Sequence, residues 1–278
     1  MRRLPRGSMT EKSATQARKR AAPRPDQVAS VKELHERLWK TGYGSISAAE
    51  AEFLAAAIDR EKPASFVEIG TATGLSTVLI ATALQRNGAG ALTTIDYSKK
   101  FYGDLSKNIG FLVDEHFGEG SGGIRRLTGL TSADLATTIE GPVGMAFIDA
   151  NHGHPWPTLD TLMIWPFLAE GALLFHHDLR SYQKFGASRS CGPKYLYDSI
   201  PDSQKTVIAD VDRNMFWLRK NIEAAQFARR LTDCLLLPWD SAGRIGFLLA
   251  RRIHDQLQAQ YPPIVAHAFA IGFDRAKT

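Results

Sequence analysis

Phe66-Val67-Glu68-Ile69-Gly70-Thr71-Ala72-Thr73-Gly74-Leu75-Ser76 decides how this sequence folds. A short apolar run ends at Gly70, a second glycine follows at Gly74, and helical spacing begins directly after it. That order predicts a strand turning sharply into a helix, with N–H groups of the turn open to a polar ligand. About twenty residues on, Leu92-Thr93-Thr94-Ile95-Asp96 reads as a second strand ending in a carboxylate. An acid there can accept hydrogen bonds from a ribose diol. Two more apolar runs end in acids: Met145–Asp149, and Leu173–Asp178 with His176 and His177 inside it. Strands that all carry polar chemistry at one end point to a nucleoside-cofactor enzyme.

Working outward, strands Ser65–Ile69, Leu92–Asp96, Ile124–Leu127, Gly144–Ile148 and Ala172–His177 alternate with helical patterns at 75–86, 101–117, 132–139 and 158–167. Such alternation predicts an α/β fold with a parallel sheet covered on both faces. Lys205–Ala209 and Met215–Leu218 read as an antiparallel pair around Asp210–Asn214. Before the first strand, Val31–Lys40 and an Ala-rich stretch from Ser47 to about Arg60 are helical, the second with the Ser47/Glu50 spacing of a capping box. These two either cover the cofactor cleft or pack against the sheet. Arg180–Pro193, polar and glycine-bearing, reads as a loop long enough to act as a substrate lid. Residues 221–278 exceed the minimal core. Two helices there, at 222–231 and 245–258, either pack on the core or meet a second copy of the chain in a homo-oligomer.

The 278 residues are 44% apolar, enough for a core that needs no metal or disulfide to fold. Cys191 and Cys234 are the only cysteines, so the expected location is a reducing compartment, the cytoplasm. No apolar run approaches the roughly 18 residues that span a bilayer. The formal charge of +5 suggests a nucleic-acid partner only until it is divided. Residues 1–28 hold eight Lys or Arg against two acids, a net +6, which leaves −1 for residues 29–278. The first 28 residues are expected to form a disordered basic tail, and the nearly neutral body argues against a nucleic-acid partner.

The order glutamate, any residue, glycine, three residues, glycine at Glu68, Gly70 and Gly74 resembles the cofactor motif of class I S-adenosylmethionine-dependent methyltransferases. A nicotinamide or nucleotide-sugar fold would also supply an acid like Asp96. However, Ser76 stands where the dinucleotide fingerprint has its third glycine, which favours S-adenosylmethionine. The segments around Asp149 and Asp178 resemble the metal-dependent small-molecule branch that includes macrolide-sugar and catechol O-methyltransferases. The resemblance spans roughly 45–220. It implies a Rossmann-like methyltransferase fold with a mostly parallel seven-stranded sheet and a terminal antiparallel strand. It also implies a methyltransferase domain at 29–220, including the N-terminal helices.

From the resemblance, Glu68, Gly70, Thr71, Thr73, Gly74, Ser76 and Asp96 would form the cofactor site, with the ribose hydroxyls against Asp96. Methyl transfer from a sulfonium needs an aligned nucleophile and a way to remove its proton. Asp149 and Asp178 would hold a divalent cation such as Mg²⁺. His152, three residues after Asp149, would be the catalytic base, beside Asp149. The implied reaction methylates a hydroxyl of a small sugar or natural product. Two alternatives stand beside it: a metal-independent N- or O-methyltransferase, and a cofactor-binding assembly subunit without catalysis. Catechol-type enzymes follow the second aspartate with asparagine, whereas Leu179 follows Asp178 here, so His177 and Asn151 are the remaining candidates for a third ligand. Strand alternation sends His176 and His177 to opposite faces, so at most one enters the site. Trp156, Tyr182 and Phe185 are candidate acceptor-pocket aromatics, and His154 beside Pro155 reads as a loop residue.

Overall fold

The computed structural model describes residues 30–277 apart from 41, 44, 45, 89, 119–122 and 210–212. The tail expected at 1–28 lies outside these residues, and so do parts of the turns expected at 41–44, 118–123 and 210–214.

In chain order the elements begin with α1 (Val31–Leu38), α2 (Ala48–Glu61), β1 (Ser65–Ile69), α3 (Leu75–Arg86) and β2 (Ala91–Asp96). A small hairpin, β3 (Lys100–Phe101) and β4 (Asp104–Asn108), precedes α4 (Phe111–Phe117), β5 (Ile124–Thr128), α5 (Leu135–Thr138) and β6 (Val143–Ile148). Next come α6 (Trp156–Ile164), β7 (Leu168–His176), and three short helices, α7 (Ser181–Phe185), α8 (Ala187–Ser190) and α9 (Gly192–Ser199). The chain closes with β8 (Lys205–Val207), β9 (Phe216–Arg219), α10 (Ala224–Leu235), α11 (Phe247–Gln260) and α12 (Pro263–Arg275).

Seven strands form one sheet in the order β5-β2-β1-β6-β7-β9-β8. All pairings from β5 to β7 are parallel. β9 runs antiparallel to both β7 and β8, so the last strand in sequence lies second from the edge in space. The order reverses between β1 and β6, which opens a crevice outside their carboxyl ends.

Strand alternation divides the core into two layers. Phe66, Met145, Phe147, Leu173 and Phe175 face the layer built with α1–α4. Val67, Ile69, Ala146, Ile148 and Leu174 face the other, which also takes in Leu231 of α10, Ile253 of α11 and Phe269 of α12. Within this chain the C-terminal helices therefore pack on the core.

Four segments depart from the sequence expectations. Residues 101–108, expected to be helical, form the hairpin: Gly103 sits so close to the Phe101 ring that a Cβ would lie 2.7 Å from it. Asp104 Oδ1 accepts from Ser106 N at 3.0 Å and fixes the turn locally, while Leu105 is exposed, so its apolar spacing marks no buried face. β7 starts at Leu168, four residues early, through a register shift against β6 and a positive φ of 79° at Gly171. The lid segment is helical in α7 and α8, broken at Gly186 by a φ of 88°. α12 was not anticipated; Pro262-Pro263 starts it, and Pro at a helix start needs no N–H.

Candidate active site

The carboxyl ends of β1, β2, β6 and β7 converge on one cavity of about 1350 Å³. Its cofactor half is the turn after β1. Gly70, Thr71, Ala72, Thr73, Ser76 and Asp96 line it, whereas Glu68 and Gly74 do not.

Both glycines are required by close packing. Gly70 has φ 102°, and a Cβ there would lie 2.0 Å from the carbonyl oxygen of Asp149. Gly74 has φ 86°, and its Cβ would meet Gly110 and Val113 at 2.9 Å. Each thus allows a close backbone crossing that no side chain permits. Several N–H groups of the turn are already bonded within the protein. Gly70 N donates to Ile95 O (2.8 Å) and Gly74 N to Thr71 O (2.7 Å). Thr71 and Ala72 N–H both donate to Asp96 Oδ2, at 3.1 and 3.0 Å. Asp96 fixes the turn, and Ser98 N holds its other oxygen at 2.8 Å.

Glu68 lies beneath the turn, fully buried, and touches neither the cavity nor backbone N–H groups. Ser76 Oγ donates to its Oε1 at 2.6 Å, while Thr77 Oγ1 (2.5 Å) and Thr94 Oγ1 (2.6 Å) donate to Oε2. Burial pushes the Glu68 carboxyl up to about 7, against the opposing pull of these three hydroxyls. It binds strand β1 to strand β2 and to the first turn of α3.

The opposite half of the cavity holds Asp149, His152, His177 and Asp178. Asp149 and His177 are placed by the sheet ladder, through Asp149 N to Ile69 O (2.9 Å) and His177 N to Ile148 O (3.0 Å). Asp178 takes a left-handed φ of 59°, tolerated by aspartate better than by most residues. Asn214, ahead of β9, holds this bend: its Nδ2 donates to Asp178 Oδ1 (2.9 Å), its Oδ1 accepts from Arg180 N (2.8 Å), and its carbonyl accepts from Leu179 N (3.0 Å). An asparagine thus meets Asp178 from a distant segment instead of from the next residue.

His152 Nε2 lies 3.4 Å from Asp149 Oδ1 and 3.1 Å from Asp178 Oδ2. His177 Nδ1 lies 3.3 Å from Asp149 Oδ1, and its Nε2 lies 3.1 Å from Glu50 Oε2. Burial opposes a charge on His177, but Asp149, Asp178 and Glu50 outweigh it and hold the imidazole well above its usual range. Burial likewise opposes the charge on Asp149, and the His177 cation with hydrogen bonds from His152 and His177 holds the carboxyl well below its range. His152 is raised because the same carboxylates overcome its burial.

Asp149, His152 and Asp178 can each offer one donor atom, all within 4.8 Å of one another. Two carboxylates and an imidazole suit a hard divalent ion. Of the third-ligand candidates, Asn151 lines the cavity but its Oδ1 accepts from Gly153 N at 2.8 Å. His177 points inward, and His176, as alternation requires, faces away. There it stacks on Phe216 with ring centroids 4.9 Å apart, and burial lowers it to about 3.

Glu50 escaped sequence reasoning as a site residue. Its Oε2 closes the expected capping box by accepting from Ser47 N (2.7 Å), and the same oxygen meets His177. Asp160 escaped it as well: it lines the cavity, takes a hydrogen bond from Ser132 Oγ (2.5 Å), and is pushed up to about 7 by burial. Trp156 and Phe185 line the cavity and Tyr182 is not part of its wall. His154 is fully buried behind it. One carboxylate braces this loop: Asp240 Oδ2 accepts from His154 N (2.8 Å) and Cys191 N (2.9 Å), while Asp240 N donates to His154 O (3.0 Å).

Residues 67–179 match the family described as Methyltransferase domain (Methyltransf_24). The chain carries a class I methyltransferase domain. The methyl donor of that class is S-adenosylmethionine. Solved methyltransferases share the fold at low identity. A putative caffeoyl-CoA O-methyltransferase from Staphylococcus aureus aligns with TM-score 0.52 at 15% identity, over 70% of this chain and 94% of that one. The O-methyltransferase TomG from Streptomyces achromogenes, involved in tomaymycin synthesis and solved with S-adenosylmethionine, gives 0.50 at 17%, over 69% and 88%. The methyltransferase PaMTH1 from Podospora anserina, solved with S-adenosylhomocysteine, gives 0.50 at 17%, over 77% and 98%. No protein of curated function matches the sequence. Among the described residues no helix of this methyltransferase is long and apolar enough to cross a membrane.

Proposed function

We propose that this methyltransferase acts on a hydroxyl of a small molecule, a sugar or natural product, with His152 as the base and a divalent cation, Mg²⁺ by preference, at Asp149 and Asp178. The observation that carries the reading is the placement of the Asp149–His152–Asp178 group in the same cavity as the turn of residues 70–76. When bound, the cofactor supplies an activated methyl group and the cation makes a coordinated hydroxyl more acidic. Thr71, Thr73 and Ser76 would hold the cofactor, with Asp96 against the ribose.

His152, set between two carboxylates, is oriented to accept the hydroxyl proton once neutral. Glu50 and Asn214 keep His177 and Asp178 in place, so the group is rigid before an acceptor enters. The test follows methyl transfer to a panel of small hydroxyl compounds by mass spectrometry. His152→Ala should slow transfer by about 10²–10⁴-fold while S-adenosylhomocysteine still binds. An unchanged rate removes the base assignment.

A second reading, metal-independent transfer, draws on one observation: His177 already sets a positive charge beside Asp149 and Asp178. Full activity after exhaustive chelation would select it.

A further inference from the structure

The charges lining the cavity are sorted by sign. Its acids are Glu50, Asp96, Asp149, Asp160 and Asp178, and each accepts from a neighbouring histidine, hydroxyl, amide or backbone N–H. Its Lys and Arg residues are Arg180, Lys184, Arg189 and Arg244, all exposed. Among the described residues none of these four is within ion-pair distance of a carboxylate. Soluble surfaces usually intersperse the two signs. Here the same wall of the cavity carries four cations and no acid.

The wall is assembled from two separate parts of the chain. Arg180 follows the Asp178 bend, Lys184 lies on α7 and Arg189 on α8, while Arg244 stands just before α11. Ser241 Oγ donates to Ser188 O at 3.2 Å and draws the two segments together. Phe185, half-exposed beside Lys184, adds an apolar surface to the same wall.

We infer that the acceptor carries an anionic group, phosphoryl or carboxyl, at some remove from its reacting hydroxyl, and that this wall binds it. The inference rests on the methyltransferase reading and names the substrate class of that site. The polarity fits one orientation: hydroxyl toward Asp149 and His152, anion toward Arg180, Lys184, Arg189 and Arg244. Arginine forks match both phosphate and carboxylate oxygens. Each contact is exposed and individually weak, so the wall acts through several cations at once and is sensitive to salt.

The experiment uses the full chain saturated with S-adenosylhomocysteine, whose binding is measured first for every variant. Inorganic pyrophosphate is then titrated calorimetrically in one arm and succinate in the other, at low and high salt. At least one anion should bind saturably, and the arm that does names the group. The double variant Arg180→Ala/Arg244→Ala should weaken it about tenfold, whereas Arg180→Lys/Arg244→Lys should retain most of the affinity. The basic residues before position 29 remain in every variant, so their contribution cancels. Failure of both anions to bind the loaded protein, or binding that survives the double alanine change, overturns the inference and leaves the methyltransferase reading standing. Failure of S-adenosylhomocysteine itself to bind overturns both.

Discussion

Glu68→Gln tests the buried hydroxyl cluster that shapes the cofactor turn. In the folded protein the Glu68 carboxyl sits at about 7, against 4.5 for an ordinary glutamate. A group raised on folding stabilises the fold fully below its unfolded value and loses that contribution as pH rises through its folded value. The window therefore runs from 4.5 to about 7, and the full difference corresponds to about 3 kcal/mol. Glutamine cannot ionise, and a side-chain amide can still bond hydroxyls that rotate to suit it. The stability difference, wild type minus Glu68→Gln, should thus fall by about 2–3 kcal/mol between pH 5 and pH 8. Other titrating groups, His176 among them, cancel in that difference. Urea unfolding of both proteins at the two pH values is the assay. By contrast, Glu68→Leu strands three hydroxyls at about 1–3 kcal/mol each, a sizeable part of a typical domain's stability. It should unfold or lose cofactor affinity. A pH-independent difference for the glutamine variant would refute the reasoning and mean that Ser76, Thr77 and Thr94 fully offset the burial.

His176, lowered to about 3 from 6.5, should make the protein acid-labile: its contribution is present above pH 6.5 and lost as pH falls toward 3, about 5 kcal/mol in all. His176→Phe should flatten that part of a thermal-unfolding profile. Gly70→Ala, whose Cβ would fall 2.0 Å from Asp149 O, should destabilise by about 3–5 kcal/mol in chemical denaturation and abolish cofactor binding. Asn214→Ala should leave S-adenosylhomocysteine binding intact and lower kcat, because the Asp178 bend loses the two hydrogen bonds of the Asn214 side chain. Only the two side-chain bonds depend on the amide, so a small retained rate is expected and a rate equal to wild type would count against the clamp.

The sheet was legible because its strands are short apolar runs bounded by glycine and acid, a pattern of period two that local sequence carries by itself. Asp149, His152 and Asp178 were legible too, since neighbouring strand ends meet wherever a parallel sheet forms. Glu50, Asn214 and Asp160 were not. Their site contacts depend on how helices and a hairpin return to the sheet, and Glu50 already had a sufficient local role in its capping box. Glu68 misled for a related reason. Its motif position marks the turn, but only the register of Thr94 on β2 and the spacing of Ser76 and Thr77 on α3 show that hydroxyls surround it. The hairpin at 100–108 was hidden because its apolar residues fall four apart while one of them, Leu105, faces solvent.

Asp240 sets where this protein can be cut. The family match ends at residue 179, yet the backbone of His154, inside that span, is tied to the carboxylate of Asp240, far beyond its end. Gly243 presses so closely on His154 O that no side chain fits between them. A fragment trimmed to the matched span would keep the cofactor turn and both aspartates but release the segment that carries His152. Grafting this chemistry onto a smaller scaffold therefore requires transplanting the distant brace together with the residues it steadies.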